Sequence, residues 1–270
     1  MNNLVFGKYI PVDSPIHRLD PRAKLIALFV LIVAIFVPTS WWAYLALAVG
    51  ILIIVILAKI KLSLIVKTLK PTVIMMIFLL IINCLTIRTG DVLCNILGLN
   101  IYSDAIFNTL FIVVRLLLMV NVTTTLTATT KPLDLTLGIE SLLSPLKVFH
   151  FPYHEIAMMI SIALRFIPTI IEETMRIMNS QKSRGVDFEE GKMSEKINAI
   201  LSLIIPLFTV AFQRAYELAD AMEARGYIPD KERTRYHVLK FDFNDVLFVL
   251  YANVLLVLSI LSRIYLWDIK

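Results

Sequence analysis

PTVIMMIFLLIINCLTI, Pro71 to Ile87, lies between Lys70 and Arg88 and holds no charged residue. A membrane-crossing helix takes about 20 mainly apolar residues, and this stretch reads as one. Four more segments carry the same signature: Leu25–Val37, Trp42–Ala58, Ala105–Thr130 and Val246–Trp267. The first is short at 13 residues. Lys24 is placed to snorkel at one of its ends, and Trp41 and Trp42 to form an interfacial belt at the other. Composition agrees: 58% of the 270 residues are hydrophobic and 17% charged, against roughly 45–50% and 25% in soluble domains. The fold class expected is all-α, a multi-pass membrane bundle of five spans.

The net charge of +5 could suggest nucleic acid, but its distribution argues against that partner. Residues 1–24 carry four Lys/Arg against two Asp, and the loop at 59–70 holds Lys59, Lys61, Lys67 and Lys70 without an acid. Excess positive charge beside apolar runs marks the cytoplasmic side. The N-terminal segment 1–24 is therefore expected inside, followed by spans one to four over 25–130. Linkers 38–41 and 88–104 fall outside. Residues 131–243 form a cytoplasmic or interfacial domain, nearly neutral with 14 Lys/Arg against 15 Asp/Glu. Residues 244–270 form the last span, with an external C-terminus.

Within 131–243 three helical patterns stand out: His154–Phe166, Pro168–Gly185 and Ile197–Gly226. The apolar half of the last, Ile197 to Val210, is only 14 residues long and holds Pro206. It is read as an interfacial or bundle-packed helix; a spanning pair would raise the helix count without moving the chain ends.

Two of these patterns end alike. RFIPTIIEETMRIMNSQKSRG (165–185) and LIIPLFTVAFQRAYELADAMEARG (203–226) each enter through Ile-Pro and close on small-Arg-Gly. Pro suits a helix start and Gly the position just past its end. One reading of Arg184 and Arg225 is local, a cation in the last turn facing the negative end of the helix dipole beside a glycine cap. The other is functional: two exposed guanidinium groups suit two similar acidic pockets on a partner. Duplication favours the second.

Catalytic signatures are missing. The sequence has no H-E-x-x-H, no G-x-S-x-G and no P-loop; GVDFEEGKM has the wrong spacing and Met193 in place of the Ser/Thr that would hold Mg²⁺. His150 and His154 flank Phe151 and Pro152, which fits an interface turn better than a metal site. Cys84 and Cys94 form no zinc or redox spacing. Arg115 is the one ion inside span four; it either lines a subunit contact or bonds polar neighbours such as Asn83.

YIPVDSPIHRLDPRAKL at the start, TTKPLDLTLGIESLLSPLK after span four, ALRFIPTIIEE and the paired SRG and ARG endings together resemble the transmembrane (T) component of energy-coupling factor (ECF) transporters. These are ABC-type importers of vitamins and metal ions. The resemblance covers nearly the whole chain, in order. It departs at Ser183, where the family pattern usually has Ala, another small residue.

The resemblance implies a non-catalytic subunit in a bacterial or archaeal cell membrane. Its partners would be two ABC ATPase subunits, a membrane substrate-binding S component and the lipid bilayer. ATP and Mg would be bound by the ATPases, so no cofactor is expected on this chain. The two matched helices become coupling helices, and Ser183, Arg184, Gly185, Ala224, Arg225 and Gly226 become the ATPase contacts. The apolar faces of these helices would hold the S component, with Met175, Met178 and Met222 as adaptable contacts; the same methionines would equally pack the helices together. The alternative is a self-contained secondary transporter. Such proteins repeat their membrane spans, whereas the repeat here lies outside them.

Overall fold

The computed structural model describes residues 9–38, 40–96, 99–144, 153–188, 192–228 and 241–265. Eight helices and one short hairpin follow along these residues: α1 (Pro21–Phe36), α2 (Trp41–Leu57), α3 (Leu62–Thr86), β1 (Val92–Ile96), β2 (Leu99–Tyr102), α4 (Ser103–Thr129), α5 (Pro132–Leu143), α6 (Tyr153–Ser183), α7 (Met193–Ala224) and α8 (Phe243–Tyr265). The fold is an all-α, multi-pass membrane bundle. The antiparallel β1–β2 pair lies in the linker 88–104, where no strand was expected. His150 and the end of the last expected span, residues 266–267, lie outside the described residues.

The chain divides into two units, Met1–Tyr153 with Leu239–Lys270, and His154–Val238. In the first, α1 packs against α4, α5 and α8, α2 packs against α4 and α8, and α3 packs against α4 and the hairpin. Small residues let α1 come close to its neighbours: Ala23, Ala27 and Ala34 are fully buried. Close approach of this kind governs helix packing where lipid removes the usual hydrophobic drive. Gly50 serves α2 in the same way. A Cβ there would stand 2.7 Å from Leu255 Cδ2, and Tyr251 donates its hydroxyl proton to the Gly50 carbonyl at 3.0 Å.

The threonines that end α4 would be poor helix formers in water. Here their hydroxyls bond back to carbonyls four residues earlier, Thr125 to Asn121 and Thr129 to Thr125, both at 2.8 Å. This satisfies polar groups in an apolar setting without outside partners. On α3 the apolar side chains face outward instead; Ile74, Met75, Phe78 and Ile81 are all exposed, as suits a lipid-facing helix.

Three helix boundaries differ from the sequence reading; in the first, α3 begins at Leu62, so most of the loop expected at 59–70 is helical and Pro71 lies inside the helix. Pro168 and Pro206 stand inside α6 and α7, so neither ends its helix. The patterns at 154–166 and 168–185 form one helix of 31 residues, and α7 is a single helix of 32. A mid-helix proline removes one hydrogen bond, which surrounding turns can absorb in an otherwise strong helix. By length and composition α3, α4, α7 and α8 can each cross a membrane. The segment 197–210 is thus part of a helix that is long and apolar enough to span. Conversely, α1 and α2 have only 16 and 17 residues, about 24–26 Å at 1.5 Å per residue.

In the second unit, α7 carries Ile197, Ile200, Leu201, Ile204, Ile205, Phe208, Phe212 and Tyr216 exposed. Their spacing of three and four puts them along one face. Ala199 is its only buried residue among those described.

Candidate functional site

The ends of α6 and α7 have the same main-chain geometry. Arg184 and Arg225 follow the last helical residues, Ser183 and Ala224, and each is followed by a glycine of positive φ, +87° at Gly185 and +72° at Gly226. The N–H of Val186 donates to Gln181 O at 3.1 Å, and Gly185 N–H to Lys182 O at 3.0 Å. At the other end Tyr227 N–H donates to Met222 O at 3.0 Å, and Gly226 N–H to Glu223 O at 2.8 Å. Both are Schellman caps, with the paired reverse bonds that close a helix on a left-handed glycine.

The caps are made wholly by main chain, so they do not need either arginine side chain. Arg184 and Arg225 are exposed, as are Ser183, Ala224 and both glycines. Among the described residues neither guanidinium has a hydrogen-bond or ion-pair partner. A Cβ on either glycine would meet nothing within 4 Å, so these glycines serve backbone conformation, and the surface beside each arginine is open. Five N–H donors in a planar fork, at a helix end that repels anions only through its own carbonyls, suit a carboxylate supplied from outside. Met175 is exposed on α6, while Met178 and Met222 are half-buried.

A family model described as cobalt transport protein (CbiQ) matches residues 13–236, which include both helix ends. A relative from Listeria innocua, "Energy-coupling factor transporter transmembrane protein EcfT", is 39% identical over 267 residues, 99% of this chain and 98% of its own. The chain belongs to the EcfT family. EcfT proteins of the same printed name from Bacillus subtilis and Staphylococcus aureus are 40% and 43% identical, covering 97% and 91% of this chain and 99% and 92% of theirs. EcfT membership makes the chain a membrane transport subunit, the T component of an ECF transporter.

The quoted N-terminal stretch carries a part that sequence reasoning left without a role. Asp245, in the first turn of α8, is 2% exposed. One of its oxygens accepts from the Asp20 N–H and the other from the Asp242 N–H, both at 2.7 Å. Asp20 caps α1 by accepting from Arg22 N–H at 2.9 Å. Lys24 does not snorkel. It is 4% exposed, and its Nζ donates to the carbonyls of Thr129 and His17 at 3.1 and 3.3 Å. The reason is the end of α4, whose last carbonyls have no helical partner and carry the negative end of the dipole. An acid in the first turn of the last span was the available signal.

Arg115 bonds a polar neighbour, but not Asn83. Its Nε and Nη2 donate to Tyr44 Oη at 3.1 and 2.9 Å, and its Cζ lies 5.5 Å from the Phe36 ring centre. Asn83 donates instead to Thr109 Oγ1 at 3.0 Å. Tyr44→Phe therefore strands the guanidinium. It is expected to lower the yield and melting temperature of the complex, by about 1–3 kcal/mol for the lost charged hydrogen bonds, while ATPase binding per folded molecule is unchanged. Loss of a partner subunit from well-folded Tyr44→Phe protein would place Arg115 at a subunit contact instead.

Proposed function

We propose that this chain couples ATP-driven motion of two ABC ATPase subunits to a membrane S component that binds a vitamin or other micronutrient. The observation that carries this reading is the pair of matching helix ends, each presenting an exposed arginine whose side chain has no partner among the described residues. Arg184, with Ser183 and Gly185, receives one ATPase; Arg225, with Ala224 and Gly226, receives the other. ATP and Mg stay on the ATPases. The apolar faces of α6 and α7, with Met175 and Met178 on the first and Met222 on the second, are the surfaces offered to the S component. Co-purification of the ATPases with Arg184→Ala or Arg225→Ala chains tests the assignment: each single change should weaken assembly, and normal assembly would refute it.

The positive charges beside the apolar runs support an orientation with the N-terminus and residues 131–243 in the cytoplasm. In a Cys84→Ser, Cys94→Ser background, an Asn95→Cys thiol should react with an impermeant reagent added outside intact cells. A Glu190→Cys thiol should react only after lysis. Labelling of position 190 from outside would reverse the orientation.

A further inference from the structure

A cavity of about 760 Å³ opens between the N-terminal segment, the end of α2 and the first turns of α8. Ile54, Leu57, Leu247 and Phe248 give it apolar walls, and Asp13, Arg18, Lys59 and Asp242 stand among its charged lining groups. Most of that charge is already engaged. Arg18 makes a two-pronged pair with Asp13 at 2.9 and 2.7 Å, and these bonds hold the Asp13 carboxyl below its usual range. Both Asp245 oxygens accept main-chain N–H groups. Two groups keep spare capacity. The Lys59 ammonium has no hydrogen-bond partner among the described residues, although Asp13 is close enough to feel its charge. Among the described residues the Asp242 carboxylate accepts from the Asn244 side chain alone, at 3.2 Å, and so keeps open lone pairs.

The backbone at Lys59 adds an independent observation. Its φ is +53°, the one positive value at a non-glycine among the described residues. It stands just past the end of α2, where glycine is the residue without strain. A lysine there carries a conformational cost, and what it supplies that glycine lacks is an ammonium on a residue that lines this cavity.

We propose that the cavity binds a bilayer phospholipid with a zwitterionic, amine-bearing head group. The phosphate takes the Lys59 ammonium, the lipid ammonium takes the Asp242 carboxylate, and an acyl chain follows Leu57, Leu247 and Phe248. The surroundings decide for a lipid over a soluble anion. Leu57 and Leu247 line the cavity and are also 45% and 58% exposed, so its wall runs out onto the apolar flanks of the bundle. Apolar α2 gives way to Lys59 and Lys61 at this level, which is where a head group lies. Charged pockets between membrane helices at that depth recognise lipid head groups.

The test uses the intact transporter complex in mild detergent, with bound lipid counted by native mass spectrometry. Dioleoyl phosphatidylethanolamine and dioleoyl phosphatidylglycerol are added back to delipidated samples. The parent should retain the ethanolamine lipid in preference to the glycerol lipid. Lys59→Gly should weaken retention about tenfold or more, the loss of one charge-assisted hydrogen bond. Its melting temperature should equal or exceed the parent's, because glycine relieves the strained φ. Leu57→Trp, which fills the mouth and keeps Lys59, should also lower retention, whereas Lys61→Gln should not. Unchanged retention in Lys59→Gly, equal loss in Lys61→Gln, a preference for phosphatidylglycerol, or a parent complex that holds no lipid would each overturn the assignment.

Discussion

With Arg184 and Arg225 both replaced by Ala, uptake should fall to background and the ATPase subunits should no longer co-purify. The size of the effect follows from what each arginine loses. Removing one partner of a buried charged pair costs about 2–5 kcal/mol, much of it from the partner carboxylate left stranded. Two such losses, about 4–10 kcal/mol together, are of the same size as the whole margin of an assembly held at micromolar affinity, about 8 kcal/mol. Loss of the arginines as helix-end cations predicts far less, about 0.3–1 kcal/mol each. Both caps are closed by main-chain bonds of Val186, Gly185, Tyr227 and Gly226. Ala at 184 or 225 leaves those bonds in place, so the double variant should fold normally. Lys at both positions should restore only part of the activity, since an ammonium cannot form the two parallel bonds of the guanidinium fork. Near-normal uptake by a well-folded double Ala variant would mean the arginines are dispensable.

The helix ends were legible because their code is local. Gly one residue past a small-Arg step is enough to specify a left-handed cap, and the cap needs nothing from elsewhere in the chain. The apolar spans were legible for a similar reason, since helices form over runs such as Trp42–Ala58, although α3 begins at Leu62, well before the run at Pro71. Two features depended on tertiary context and were not. Pro206 looked like a boundary, yet α7 passes through it, because twelve or more helical residues on either side hold the turn. Lys24 looked like a surface anchor, yet it is drawn inward by two carbonyls from residues 7 and 105 positions away. No pattern within α1 announces the end of α4. The partner of Arg115 was missed likewise: Tyr44 and Asn83 are both polar groups in apolar helices, and only packing chooses between them.

Asp245→Ala should be the most damaging single change within the first unit. The carboxylate accepts from two N–H groups, one on Asp20 and one on Asp242. Asp20 starts α1, 225 residues away in sequence, and α1 packs along α8. The alanine variant leaves both donors without this acceptor, and the Asp20 N–H is buried. At roughly 1–3 kcal/mol for each stranded group, the loss of about 2–6 kcal/mol is a large fraction of the stability of a domain, about 5–15 kcal/mol. Folded yield should drop sharply, and protein that survives extraction should melt well below the parent. Asn at 245 keeps the side-chain volume and one carbonyl oxygen, so it should recover part of the loss. Asp13→Ala is the matched control: it also removes an aspartate bonded within the N-terminal segment, but its arginine partner is exposed and water replaces it. The melting temperatures of the three variants in one detergent decide the matter. If Asp245→Ala melts with Asp13→Ala, near the parent, then the contact between the two chain-distant helices rests on apolar packing alone, and the buried carboxylate does not hold them together.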